Sequence, residues 1–222
     1  MTTTLSNLIT RTRRWLHETV ASESFFSDTF ITNVINAAYR RRCGRLIMAY
    51  EGSFTQTALR DLVENQSLYS WPQGLIRLQR LDYVSADGIE TPIPRYGRLF
   101  EALNPTSVQP YSFRPVENGF KLEPTPTTTI TNGLKIEYIA TPAELTAMGD
   151  NTHADFPDIF TELIVLDAVC YLLDSEANME DGVPRAALRA RAEYEADFDR
   201  FIDNKMIKTQ SIIPQVLHYI DS

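Results

Sequence analysis

The chain has 222 residues, of which 43% are hydrophobic and 23% are charged, and its formal net charge at neutral pH is −8. This composition is ordinary for a soluble protein with a buried core, and no apolar run approaches the ~20 residues that would cross a membrane. The acidic balance argues against a protein whose main task is to grip duplex DNA, because phosphate binding normally requires a basic surface.

An acidic surface has two possible uses. It repels DNA, which suits a conduit through which DNA slides without sticking, and it also keeps many soluble proteins in solution.

Cys43 and Cys170 lie far apart and form no paired spacing, which predicts reduced thiols in a cytoplasmic product.

Residues 1–52 are predicted to form the N-terminal helices of a helical core. An apolar stripe at the helical period predicts a first helix from about Leu5 to Leu16. Ser27 and Asp28 offer an N-cap for a second helix, which is expected to run to about Tyr50.

Residues 53–142 are predicted to form an inserted antiparallel β-module. Most of the twelve prolines fall here, and the apolar period drops towards two. A change of phase along the strand that contains Ile76 and Leu81 predicts a β-bulge near Gln79 or Arg80. Dipeptides that accept positive φ at both turn positions predict three hairpins, at Asp87-Gly88, Asn118-Gly119 and Asn132-Gly133.

Residues 143–207 are predicted to form the C-terminal helices of the core. Pro157 is well placed to begin a helix whose apolar side chains, from Ile159 to Leu173, cover nearly the whole circumference. Such a helix lies either at the centre of the subunit or between subunits, and the sequence leaves both open. Pro184 begins a further helix, with a narrower apolar stripe among alternating charges.

Residues 208–222 are predicted to form an extended docking tail. The segment is apolar, but it is short and interrupted by Pro214, so it cannot make a core of its own. Apolar segments of this kind can become ordered on a partner, whereas a frayed terminus or a tail folded on its own subunit is the alternative. The predicted partner-binding residues are Ile212, Ile213, Val216, Leu217 and Tyr219.

Residue patterns that carry catalysis or cofactor binding do not occur in the sequence. The three histidines have no carboxylate or cysteine at metal-ligand spacing, although folding could bring His153 close to Asp150, Asp155 and Asp158. The nine glycines form no phosphate-binding loop, and no serine elbow is present. We therefore expect no enzyme, no cofactor and no metal site.

Four arginines crowd into the short segment that runs from Arg40 to Arg45. Consecutive helical positions point about 100° apart, so these side chains do not form one flat phosphate-binding stripe. Arginine also pairs with carboxylates at protein interfaces. Arg41, Arg42 and Arg45 are therefore predicted to contact a partner or to lie on the solvated surface, with DNA contact as the alternative.

Several phrases in a fixed order resemble the head–tail adaptor family of tailed bacteriophages. The first is the helix from Leu5 to Trp15, followed by Phe26-Ser27-Asp28 and by Val34-Ile35-Asn36-Ala37-Ala38-Tyr39-Arg40. The second is Tyr69-Ser70-Trp71-Pro72, which leads into a strand, and the third is Gly119 to Pro126 ahead of Leu134 to Tyr138. The last is Phe156-Pro157-Asp158 ahead of a long apolar helix. The resemblance covers the chain from about Leu5 to Ala177. The β-insertion is larger than in the smallest adaptors, and the tail after Lys208 matches no motif.

This resemblance implies an α+β fold: a mainly helical core of about four helices with an inserted antiparallel β-hairpin module. It also implies a structural virion protein, made in the host cytoplasm and located in the neck of the virion. Copies of the chain would form a ring, commonly a dodecamer, beneath the portal protein. The ring would dock the tail, stopper or tail-terminator protein, and genomic DNA would pass through it without specific binding.

Two alternatives to this function remain open from the sequence. The nearer one is another neck or tail-completion protein, and the one from a different class is a DNA-binding assembly or regulatory protein. The resemblance transfers no site residue by residue, because the family has no sharp catalytic or ligand motif.

Overall fold

The computed structural model describes residues 2–17, 25–50, 52–95, 109–175 and 184–210. Within these ranges, four α-helices and seven β-strands form two compact units. The helical unit comprises Met1–Ser53 and Pro142–Ser222, and the β-unit comprises Phe54–Thr141. Helices and antiparallel sheets in these proportions confirm the predicted α+β class.

The helical unit contains α1 (Leu5–Trp15), α2 (Asp28–Ala49), α3 (Thr161–Ser175) and α4 (Arg185–Gln210), with a 3-10 turn at Asp158–Phe160 ahead of α3. Side-chain caps begin the first two helices. The hydroxyl of Thr4 accepts a hydrogen bond from the backbone N–H of Asn7, and Ser27 does the same for Phe30, as predicted for the second helix. Both caps satisfy N–H groups that have no partner inside a helix.

α3 lies at the centre of the helical unit, where it packs against α1, α2 and α4. Its core side chains are completely buried; they are Leu163, Ile164, Val165, Leu166, Ala168, Val169 and Leu172. Each leucine, isoleucine or valine side chain among them contributes roughly 1.5–3 kcal/mol when it leaves water. The all-round apolar pattern therefore reflects a central position in the subunit. Among the large hydrophobic side chains described in this helix, Tyr171 is the exposed one, at 58%.

The β-unit contains two antiparallel sheets. The strands are β1 (Thr55–Leu62), β2 (Leu68–Ser70), β3 (Leu75–Val84), β4 (Glu90–Pro92), β5 (Ser112–Val116), β6 (Gly119–Glu123) and β7 (Ile130–Ala140). One sheet has the order β1-β7-β3-β4 and the other the order β2-β6-β5. Phe120 is fully buried between Tyr69 and Trp71, with ring centroids 5.6 and 4.8 Å away, and these rings form the core of the smaller sheet.

Two of the predicted strand features are confirmed. The register of β3 against β7 passes from Leu78 opposite Tyr138 to Arg80 opposite Glu137, so Gln79 is the extra residue of a bulge. A hairpin joins β3 to β4 at the predicted place, and Gly88 has φ +78°. Asp87 has no positive φ, and Val84 pairs with Glu90, so residues 85–89 form the connection and the predicted turn with positive φ at both residues does not occur.

The hairpin at Asn118-Gly119 exists, but its turn is shifted by one residue. Val116 pairs with Gly119, so the two turn residues are Glu117 and Asn118 and the glycine is already the first residue of β6. A Cβ atom at position 119 would overlap the carbonyl oxygen of Tyr69 on the neighbouring strand. Glycine is required here by the close approach of two backbones and not by a turn with positive φ.

The predicted hairpin at Asn132-Gly133 is wrong, because β7 runs without a break from Ile130 to Ala140. The dipeptide lies instead in a bulge, where the pairing of β7 with β1 is interrupted. Asn132 has φ 55°, and its backbone N–H donates to the carboxylate of Asp61 at 2.8 Å. The local preference for positive φ was real, but it bends a strand and does not reverse the chain.

Replacing Gly119 by alanine is expected to lower the free energy of unfolding by about 1–3 kcal/mol, because the new methyl group forces β6 away from Tyr69. Gly44 on α2 is the control, since a Cβ there meets nothing within 4 Å. Gly44→Ala is expected to raise stability by about 1 kcal/mol through helix propensity. Urea unfolding followed by circular dichroism measures both changes, and equal stability of Gly119→Ala and the native chain would contradict the close approach.

Candidate functional site

The four neighbouring arginines of α2 point in different directions and meet different partners. Arg40 pairs with Glu144 at 2.7 Å, while Arg42 and Arg45 turn towards α3 and α4. Arg41 is exposed and forms no hydrogen bond or ion pair within the described part of the chain. The helical period of about 100° per residue separates the four groups.

Asp167 of α3 is the centre of a buried network of charged side chains. Its Oδ2 accepts a hydrogen bond from Nε of Arg42 at 2.7 Å, and its Oδ1 accepts one from Nε of Arg191 at 2.6 Å. The side chains of Arg42 and Asp167 are each 3% exposed. One carboxylate thereby ties the central helix to α2 on one side and to α4 on the other.

Glu195 and Asp199 extend this network along α4. Glu195 lies 2.6 Å from Nη1 of Arg42 and also pairs with Arg45, which in turn binds Asp199. The ring of Phe198 lies under both guanidinium groups, with its centroid 5.8 Å from Cζ of Arg42 and 5.3 Å from Cζ of Arg45. Three arginines thus face three carboxylates, and the charges of the network balance.

Hydrogen bonds to carboxylates raise the pKa of two arginines in this network. The pKa of Arg191 is raised above its usual value mainly by its hydrogen bond to Asp167. Burial acts to lower the pKa of Arg45, but its hydrogen bonds to Asp199 and Glu195 outweigh that effect and the pKa rises. Removing one member would leave its buried partner uncompensated, which costs far more than the pair contributes.

Asp167 was missed by the sequence analysis, although the sequence contains a signal for it. It is the only charged residue between Glu162 and Asp174, inside the most apolar helix of the chain. A charge in such a place requires a partner, because an unpaired buried carboxylate is strongly unfavourable.

Partner binding by Arg41, Arg42 and Arg45 stays a prediction, but the guanidinium of Arg42 already forms ion pairs within the chain.

Beside the network, α2 and α3 enclose an apolar groove of about 240 Å³. Phe30 and Tyr171 are partly exposed on its two sides, and Val34 and Ala38 are buried beneath it. Arg41 and Asp167 provide the charged groups of the lining, and Asn33 adds an amide. This volume is smaller than the roughly 300–1,000 Å³ of small-molecule sites, so the groove suits a few side chains better than a cofactor.

The residues considered for metal binding are not gathered into a site. Nδ1 of His153 lies 3.7 Å from Oδ2 of Asp155, but no group of three or more candidate ligands occurs in the ranges that the structure describes. Asp150 instead accepts hydrogen bonds from the backbone N–H groups of Thr146 and Ala147, which lower its pKa. Among the described helices, none is long and apolar enough to span a bilayer.

The predicted docking residues Ile212, Ile213, Val216, Leu217 and Tyr219 lie outside the described residues. α4 is described as far as Gln210, so the predicted tail begins within the last residues of this helix. The expectation that the tail contacts a partner therefore stays a prediction.

The chain resembles one protein family along most of its length. A family model described as SU10 adaptor protein matches residues 3–214, and this match confirms the resemblance to an adaptor family. No curated protein matches the chain.

Two solved structures have chains with weak similarity to this one. The structure titled "Virion of native gene transfer agent (GTA) particle" has a chain with 17% identity that covers 82% of this chain and 87% of its own length. The structure titled "Neck of empty GTA particle computed with C6 symmetry" has a chain with 18% identity that covers 83% of this chain and 88% of its own length. The TM-score is 0.28 in both cases, so these similarities carry no argument about function.

Asp167→Asn is expected to lower the free energy of unfolding by about 3–5 kcal/mol, because it leaves the buried guanidinium of Arg42 without its carboxylate. The control is Glu144→Gln, which removes the exposed pair with Arg40 and is expected to cost less than about 1 kcal/mol. Urea denaturation measures both. Similar losses for the two variants would mean that the network does not hold the helices together.

Stability is also expected to depend on pH through Cys43, whose thiol lies beside Tyr39 on α2. Burial raises the pKa of this thiol from its usual value of 9.0 to about 12. A pKa that is raised by folding contributes stability below pH 9, and this contribution is lost as the pH rises towards 12. The free energy of unfolding should therefore fall across that range, and less steeply in Cys43→Ala; identical slopes in both proteins would refute the assignment.

Proposed function

Since the chain belongs to the SU10 adaptor protein family, we propose that it is a structural protein of a tailed bacteriophage that joins the head to the tail. The observation that carries the proposal is the extent of the family match, which includes residues 3–214 and therefore both structural units. In this role the protein is located in the neck of the virion and catalyses no reaction.

The proposed assembly is a closed ring beneath the portal protein. In a ring each subunit presents one surface to the next and a different surface to the previous one, and closure prevents growth into a filament. Since the apolar side chains of α3 are almost all buried within the subunit, the contacts between subunits come from the side chains that remain exposed. The partly exposed aromatic residues Phe30 and Tyr171 of the helical unit are candidates.

A ring at this position also forms part of the channel for genomic DNA. The net charge of −8 favours passage of DNA without adhesion, because like charges repel. The arginines of α2 do not oppose this view. Arg40, Arg42 and Arg45 are each paired with carboxylates of the same chain, which leaves less positive charge for phosphate groups than the sequence suggests.

On the side away from the portal, the ring would receive a tail, stopper or tail-terminator protein. A rigid helical unit suits this position, because a docking surface that is fixed before binding loses little conformational entropy. The network around Asp167 supplies such rigidity by connecting three helices.

The proposal is tested with the portal protein and with finished particles. Native mass spectrometry of the chain mixed with portal is expected to give one complex with a fixed number of adaptor copies, and proteomics of purified virions should detect the chain at a similar ratio. A monomer in the absence of portal is compatible with the proposal, since portal can nucleate the ring. Absence from finished virions, or turnover of a substrate by the purified protein, would contradict it.

A further inference from the structure

The groove between α2 and α3 combines an apolar lining with one unused positive charge. Val34 and Ala38 are buried at its base, and Phe30 and Tyr171 are 40% and 58% exposed beside it. Arg41 lies in the same lining and has no partner among the described residues. A complementary ligand would therefore present aliphatic or aromatic side chains together with a carboxylate.

The last residues of this chain have that chemistry. Residues 211–222 are Ser-Ile-Ile-Pro-Gln-Val-Leu-His-Tyr-Ile-Asp-Ser, with no lysine or arginine and with Asp221 following the apolar run. Six of the twelve residues are isoleucine, valine, leucine or tyrosine. The apolar side chains match the lining of the groove, and the carboxylate of Asp221 matches the charge of Arg41.

The direction of α4 indicates whether the segment binds the groove of its own subunit or that of another copy. Arg191 contacts Asp167 near the groove, whereas Lys205 lies over the ring of Tyr50 at 4.9 Å, so α4 runs away from the groove and ends past the C-terminal end of α2. The end of α4 lies about 25 Å from the groove, counting 1.5 Å per helical residue from Ala38 to Tyr50 and from Lys205 to Gln210.

If residues 211–222 bound the groove of their own subunit, more than half of the segment would only span the distance from the end of α4 to the groove. Extended chain covers at most about 3.6 Å per residue, so about seven of the twelve residues would be used to travel back. Ile212, Ile213 and Val216 would then lie along the way and not in the groove. A neighbouring subunit removes this constraint, because its groove can lie ahead of the end of α4.

We propose that residues 211–222 of one copy bind in the α2–α3 groove of the next copy in the ring, with Asp221 paired to Arg41. The inference rests on the proposed ring and adds the contact that links its subunits. An exchange of this kind is heterologous, since the segment and the groove are different surfaces, and with a rotation that closes it links the subunits of the proposed ring. Each subunit gives one segment and receives another.

Photo-crosslinking in the assembled complex tests the contact directly. Leu217 is replaced by p-benzoylphenylalanine in the full chain, labelled (15N) and unlabelled copies are mixed, portal is added, and the crosslinked peptides are identified by mass spectrometry. The expected product joins position 217 to a peptide of α2 or α3 that lines the groove, in a pair of mixed isotopic composition. Crosslinks confined to one copy, crosslinks to portal, or assembly without any crosslink would overturn the inference.

Substitutions in the groove test, in the same crosslinking experiment, whether the groove is the binding site. Ala37 is exposed in the groove lining, so Ala37→Trp fills the groove while the fold is kept, and it is expected to abolish the crosslink. Met48→Trp, at an 89% exposed position of the same helix outside the groove, is the control and should leave the crosslink unchanged. An equal yield in both variants would overturn the inference.

Charge reversal tests the ion pair. Arg41→Glu or Asp221→Arg alone should lower the crosslink yield by about two- to fivefold, as expected for a partly exposed pair, and the combination should restore it. Arg14→Glu, at an exposed arginine of α1, is the control. If the native chain forms no complex with portal, the proposed function itself fails; if the complex forms but the combined variant is not restored, only the ion pair and its groove assignment fail.

Discussion

The carboxylate of Asp167 is the constraint on which the helical unit depends. It lies on a helix that is otherwise apolar, and it can be accommodated there only because Arg42 and Arg191 reach it from two different helices. Hydrophobic burial brings α2, α3 and α4 together without fixing how they slide or rotate. A buried carboxylate with two arginine partners fixes both, because any other alignment leaves a charge without a partner.

The sequence predicted the elements of this fold better than their connections. The four helices, their serine cap, the bulge at Gln79 and the hairpin at Gly88 all follow from local preferences that act over a few residues. Asn132-Gly133 and Asn118-Gly119 show where such reasoning stops. In the first case Asp61 holds the amide of Asn132 inside a bulge, and in the second the backbone of Tyr69 excludes a side chain. Both causes lie on other strands and leave no trace beside the dipeptide.

The candidate site shows the same division. The crowding of four arginines was visible in the sequence, but which of them remain unpaired depends on residues more than a hundred positions away, such as Glu144 and Glu195. The apolar pattern around α3 was equally visible in the sequence, but only the fold shows that this apolar surface is buried within the subunit. Together these findings shift attention from α3 to the groove beside it, where an exposed arginine and two exposed aromatic rings remain.

The balance of charge in the Asp167 network has a consequence for the surroundings in which such a protein would work. Concentrated nucleic acid is accompanied by a dense atmosphere of cations, and at moderate ionic strength mobile ions screen interactions between exposed charges over a length of about 10 Å. A network of which Arg42 and Asp167 form the dry centre offers these ions little access. The buried pair of Arg42 with Asp167 would thus depend little on salt, whereas exposed pairs such as Arg40 with Glu144 would weaken as ions accumulate.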